Sequence, residues 1–140
     1  AAVTPLEIAL DIRDITLEVQ MQPDLQHRGD ISWMTEAVSN VLKNCMEHTP
    51  SGGHIRIVTK DNPLYLLIKI TDSGSGFTKQ DLPHIFERFY RGQNADTDSV
   101  GIGLALAKRI IIAQNGTIRA YNHKKDGGAV FEIRMYKGAV

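Results

Sequence analysis

The chain has 140 residues, 42% of them hydrophobic and 23% charged, and its 16 basic and 16 acidic side chains cancel. That size and composition describe one globular domain able to bury a core, and the zero balance excludes a global field drawing it to nucleic acid or anionic lipid. A single cysteine, Cys45, excludes an internal disulfide framework and fits a reduced, cytosolic setting.

The chain starts Ala-Ala-Val, with no initiator Met and no visible signal peptide, so it reads as a domain excised from something longer. Residues 1–140 are expected to be that single domain, with 1–14 a trimmed or irregular leading segment. No run approaches the ~20 apolar residues of a membrane span. Residues 15–21 alternate apolar and polar positions, as a half-buried strand does, and 23–29 form a loop. From 31 to about 46, Trp33, Ala37, Val38, Val41, Leu42 and Cys45 recur at helical spacing. The other face of that helix carries Glu36, Asn40, Lys43, Asn44 and Glu47, and Thr49-Pro50-Ser51-Gly52-Gly53 ends it. Two strands follow, 54–60 and 64–71, joined by the turn Asp61-Asn62-Pro63. Residues 73–99 are largely irregular, with a short helical piece over 81–88. A helix over 101–114 ends at Asn115-Gly116, residues that tolerate the left-handed conformation. Strands over 117–122 and 129–136 close the chain. This pattern predicts an α/β two-layer sandwich, a mixed sheet with helices on one face.

Four segments carry chemistry. Asp72-Ser73-Gly74-Ser75-Gly76 follows the second hairpin strand. A carboxylate at the end of a buried strand must find donors, and an adenine amino group is one; Gly74 and Gly76 let backbone come close to a base and sugar. Gly101-Ile102-Gly103-Leu104 opens a helix whose free N–H groups favour phosphate. Asn40 and Asn44, four residues apart, point to one helix face with oxygens suited to Mg²⁺. Phe86-Glu87-Arg88-Phe89-Tyr90-Arg91 sets two arginines among three aromatics, where an arginine can neutralise charge on a transferring phosphoryl group. Residues 92–99 contain almost nothing able to bury and read as a mobile lid. Each segment alone has a bland reading: a strand-to-turn Asp-Gly, a helix start close to a sheet, solvated asparagines, aromatic core anchors. Cys45 reads as a small core residue rather than a nucleophile.

The ordered set, covering about 15–136, resembles the catalytic ATP-binding domain of two-component sensor histidine kinases, with its asparagine, first glycine, phenylalanine and second glycine boxes. The resemblance implies the Bergerat fold. It implies that Asp72 reads adenine, that Asn44 holds Mg²⁺, and that Asn40 supports metal or phosphate. Arg88 or Arg91 would be the lid arginine, with 92–100 the ATP lid. His48, Phe77, Tyr90 and the quartet Gly101, Ile102, Gly103 and Leu104 would line the nucleotide with Gly74 and Gly76. ATP and Mg²⁺ are the implied cofactors. The implied partners are a separate dimerisation and phosphoacceptor domain and a downstream response regulator, with the isolated domain monomeric. The implied location is the cytoplasmic side of a membrane-bound sensor kinase.

The chain departs from the family pattern in three places. Glu47 stands where a basic residue is common, Ala129 where Thr is usual, and the segment before the first strand is short. None of His27, His48, His54, His84 or His123 is followed by Glu or Asp, so the phosphoacceptor is expected on another domain. Related ATPases place a general-base Glu four residues before the magnesium Asn; here that residue is Asn40, which cannot take a proton. A kinase is therefore expected over an ATPase, over an anti-sigma serine kinase, and over a degenerate domain that regulates by docking. No dinucleotide-binding or P-loop motif is present. Phe77, Leu82 and Ile85 are expected to offer a docking surface to the acceptor domain.

Overall fold

The computed structural model describes residues 12, 14–20, 31–87, 103–123 and 127–137. Their elements run β1 (Thr16–Gln20), α1 (Ile31–His48), β2 (His54–Asp61), β3 (Tyr65–Asp72), one 3-10 turn (Leu82–His84), α2 (Gly103–Ala113), β4 (Gly116–Asn122) and β5 (Ala129–Tyr136). The five strands make one mixed sheet in the order β1-β2-β3-β5-β4. Only β1 and β2 are parallel, and a parallel pair needs a crossover, which α1 supplies. The remaining pairs are antiparallel.

Register sorts the side chains. Ile57 pairs with Ile70, Ile70 with Phe131, and Phe131 with Ala120, so one row of apolar residues crosses four strands. With period-two alternation these share a face, and Ala37, Val41, Leu42 and Cys45 of α1 join Leu104, Ala107, Ile110 and Ile111 of α2 in the same buried cluster. Both helices thus cover one side of the sheet, the predicted two-layer arrangement. On the opposite side Arg119 donates to both oxygens of Glu132, at 2.7 and 3.0 Å, and Tyr121 donates to Glu132 at 3.1 Å. Burial opposes ionisation of Glu132 most strongly, but these bonds outweigh it and hold its carboxyl below the usual glutamate range.

Phe131 is fully buried and makes T-shaped contacts with Phe77 and Phe86, with centroids 5.9 and 6.3 Å away. Phe131→Ala is expected to cost about 3–5 kcal/mol, read from urea unfolding; a loss under about 1 kcal/mol would contradict this packing.

Three expectations change. Trp33 is 54% exposed and not part of the buried stripe, because it sits in the first turn of α1 and the core cluster begins at Met34 and Ala37. Over its described part, 81–87, the helical piece expected over 81–88 reduces to the single turn Leu82–His84, since Pro83 suits a first turn and so short a stretch does not propagate an α-helix. Of the three residues expected to offer a docking surface, Ile85 is 8% exposed and belongs to the core, while Phe77 and Leu82 are half-buried against it. Asn115 takes φ 62°, the left-handed turn predicted for it. Phe89 lies outside the described residues.

Candidate nucleotide site

Asp72 ends β3 on the helix-facing side, across from Ile55. It is only 3% exposed. Its Oδ1 accepts from the backbone N–H of Gly74 at 2.9 Å and of Ala129 at 3.1 Å. Its Oδ2 is buried and has no hydrogen-bond partner. Burial raises the Asp72 carboxyl above the ordinary aspartate range, against the pull of those two N–H groups, of the Cys45 thiol and of nearby His48. Cys45 lies beside it, and burial first, then the Asp72 charge, pushes its thiol well up. Cys45 is thus held as a neutral thiol, which is the core role expected for it.

The last two turns of α1 bring three further residues to this end of the sheet. Asn44 also has a buried oxygen, Oδ1, without a partner. Asn40, one turn earlier, donates from Nδ2 to Glu36 Oε1 at 3.5 Å, and its Oδ1 lies 3.4 Å from where a methyl on Gly103 would sit. Asn40 therefore borders the start of α2. His48 and Phe77 make a T-shaped pair, ring centroids 5.6 Å apart, and Phe77 in turn meets Phe131.

The turn after Asp72 needs two of its glycines for definite reasons. A Cβ on Gly74 would fall 2.1 Å from the His48 carbonyl oxygen, and Gly76 adopts φ +76°. Gly74→Ala must push the turn away from α1 and disturb a hydrogen bond to Asp72. It is expected to lower stability by about 1–3 kcal/mol and to weaken nucleotide binding at least about tenfold in calorimetric titration. Unchanged affinity would show that the turn is not part of the site.

Asn40, Asn44, His48, Asp72, Gly74, Gly76, Phe77 and Gly103 are thus gathered at one end of the sheet. Leu104 is 8% exposed and belongs to the core cluster. Arg88, Tyr90, Arg91, Gly101 and Ile102 lie outside the described residues, as does the lid segment 92–100. Sequence reasoning missed Asn122, which bonds Phe77 across 45 positions of chain; no local pattern marks such a contact. Ala129 was noted for what its side chain lacks, whereas its backbone N–H holds Asp72.

Among the described residues, no group of three or more His, Cys, Asp or Glu stands together to hold a metal. An ion here would rest on an amide oxygen and on its ligand's phosphates, a donor set suited to Mg²⁺. No helix of the described residues is long and apolar enough to cross a membrane.

A family model for histidine kinase-, DNA gyrase B- and HSP90-like ATPases matches residues 29–138. Sensor protein SphS of Synechococcus elongatus is 32% identical over 117 residues, covering 77% of this chain and 28% of that protein. Sensor histidine kinase YvrG of Bacillus subtilis is 30% identical over 121 residues, 85% of this chain and 21% of that one. The chain therefore spans roughly a quarter of these curated relatives. Among solved structures, a mycobacterial sensor histidine kinase, MprB, superposes with a TM-score of 0.84 at 30% identity, covering 96% of this chain and 92% of that chain. The catalytic domain of histidine kinase ThkA shares the fold, with a TM-score of 0.84 at 22% identity.

Proposed function

Because the chain belongs to the family of histidine kinase-, DNA gyrase B- and HSP90-like ATPases, we propose that it binds Mg-ATP and donates the γ-phosphoryl group to a histidine on a separate phosphoacceptor domain. The observation that carries this reading is a pair of buried, unpartnered oxygens, Asp72 Oδ2 and Asn44 Oδ1, at one end of the sheet. Buried polar atoms are rarely left unpaired, so each unpaired one calls for an explanation, and a bound ligand is one that fits both here. Asp72 Oδ2 accepts from the adenine amino group, while His48 and Phe77 border the base. Gly74 and Gly76 let the turn approach the base and sugar, and the N-terminus of α2 at Gly103 favours phosphate.

Asn44 would hold Mg²⁺, which when bound neutralises charge on the triphosphate. Asn40 contributes a polar contact to phosphate or hydrated metal. It is not a base, and Glu36, whose carboxylate accepts from Asn40, stands one turn further back. Without a base to activate water, bound ATP survives until a histidine attacks, and transfer rests on positioning and charge neutralisation. Arg88 or Arg91 would supply positive charge to the transferring phosphoryl group, and Tyr90, Gly101, Ile102 and the stretch 92–100 would take the nucleotide-contact and lid roles that the family pattern gives them. The acceptor is a dimerisation and phosphoacceptor domain, with a response regulator downstream. ThkA, a neighbour in fold, has been solved in complex with the response regulator TrrA. We place this domain on the cytoplasmic side of a membrane-bound kinase and read it as a monomer when isolated.

Titration of ATP with and without Mg²⁺, followed by addition of a phosphoacceptor hairpin domain from a sensor kinase, tests this. Magnesium-dependent binding and acceptor-dependent phosphorylation are expected. Rapid steady hydrolysis without acceptor would make the chain an ATPase, and folded protein without nucleotide binding would make it a docking module.

A further inference from the structure

Asn122 is the last residue of β4, and its side chain faces the turn that follows Asp72. Its Oδ1 accepts from the Phe77 backbone N–H at 2.8 Å, and its Nδ2 donates to the Phe77 carbonyl at 2.7 Å. One amide thus grips both polar groups of a single residue, fixing orientation as well as position. No backbone–backbone hydrogen bond of the described residues ties 75–77 to the rest of the fold. The same rung of the β4–β5 ladder pairs Asn122 with Ala129, whose N–H holds Asp72 Oδ1. A single rung therefore sets both the carboxylate and the aromatic ring beside His48.

We propose that Asn122 is a positioning residue of the nucleotide site, holding Phe77 at the distance and tilt at which it borders the base. The inference rests on the nucleotide reading above. Asn122 makes no contact with phosphate or metal in this role, so its loss acts on the adenosine part of the ligand alone. Because it acts through Phe77, changes at the two residues are coupled.

The test measures dissociation constants for Mg-ATP and for adenosine in the unaltered chain, Asn122→Ala, Phe77→Ala and the double variant. Asn122→Ala is expected to weaken both ligands by the same factor, about tenfold. The double variant should be little weaker than Phe77→Ala. Asn122→Asp keeps the acceptor but turns a second oxygen toward the Phe77 carbonyl. It serves where the alanine variant does not fold, and it should also weaken both ligands equally. Either folded variant binding adenosine within about twofold of the unaltered chain would overturn the proposal. So would a loss confined to ATP, or losses that multiply in the double variant. An unaltered chain that binds neither ligand would instead overturn the nucleotide reading, and this inference with it.

Discussion

Asp72→Asn is expected to weaken Mg-ATP binding at least about 100-fold while leaving the thermal midpoint unchanged or higher. The amide oxygen of the substitute can still accept from Gly74 and Ala129, as Oδ1 does now. Its NH₂ then stands where Oδ2 stood, presenting a donor to the donating amino group of adenine. Folding loses nothing, because the present carboxylate is almost wholly buried and one of its oxygens has no partner. Removing a charge that burial disfavours relieves the native state. Calorimetric titration and thermal unfolding of the same sample separate the two effects. Retained affinity would show that Asp72 does not read the base; a large fall in midpoint would show that its charge is structural.

The raised carboxyl of Asp72 also sets a pH dependence. With its native pKa above the unfolded value, the native state holds a proton that the unfolded chain has already released. This contribution to stability is therefore fully present below the unfolded pKa and is lost as pH rises through the native one. Base recognition runs the other way, since it needs the ionised form. Affinity for ATP should fall on acidification, starting above the range where ordinary aspartates titrate, and Asp72→Asn should lack that step. Titrations across pH at fixed Mg²⁺ read it directly.

Asn44→Ala is expected to remove the gain in ATP affinity that Mg²⁺ confers and to slow phosphoryl transfer by about 100-fold or more. Removing one ligand from a site with few protein donors leaves the ion to the phosphates and water. The stability argument resembles that for Asp72: Asn44 Oδ1 is buried without a partner, so its loss relieves an unpaired group rather than breaking a bond. Binding of ATP without Mg²⁺ should change little. If the variant kept its magnesium dependence, the ion would have to be held elsewhere, with Asn40 the next residue to alter.

These two residues also measure how far sequence alone reaches. The spacing of Asn40 and Asn44, and the aspartate ahead of Gly74 and Gly76, are local patterns, and the structure does gather them at one end of the sheet. Five strands and two helices were legible for the same reason, since alternation and helical periodicity depend on neighbours in the chain. Trp33 was misread because periodicity names a stripe but not how far along the helix the sheet extends. Ile85 was misread because an apolar residue in an irregular segment looks exposed until a core is placed beneath it.

Composition, periodicity and motif order thus determined the element types, the mixed two-layer class and the candidate residues proposed to meet a nucleotide, all properties written in short stretches of chain. Only the tertiary structure decided which oxygen of Asp72 is spent on backbone and which has no hydrogen-bond partner, and that Asn122 grips Phe77 from 45 positions away. Those outcomes depend on strand register and on contacts between distant segments, and a hydrogen bond to a distant backbone group leaves no periodic trace in the sequence.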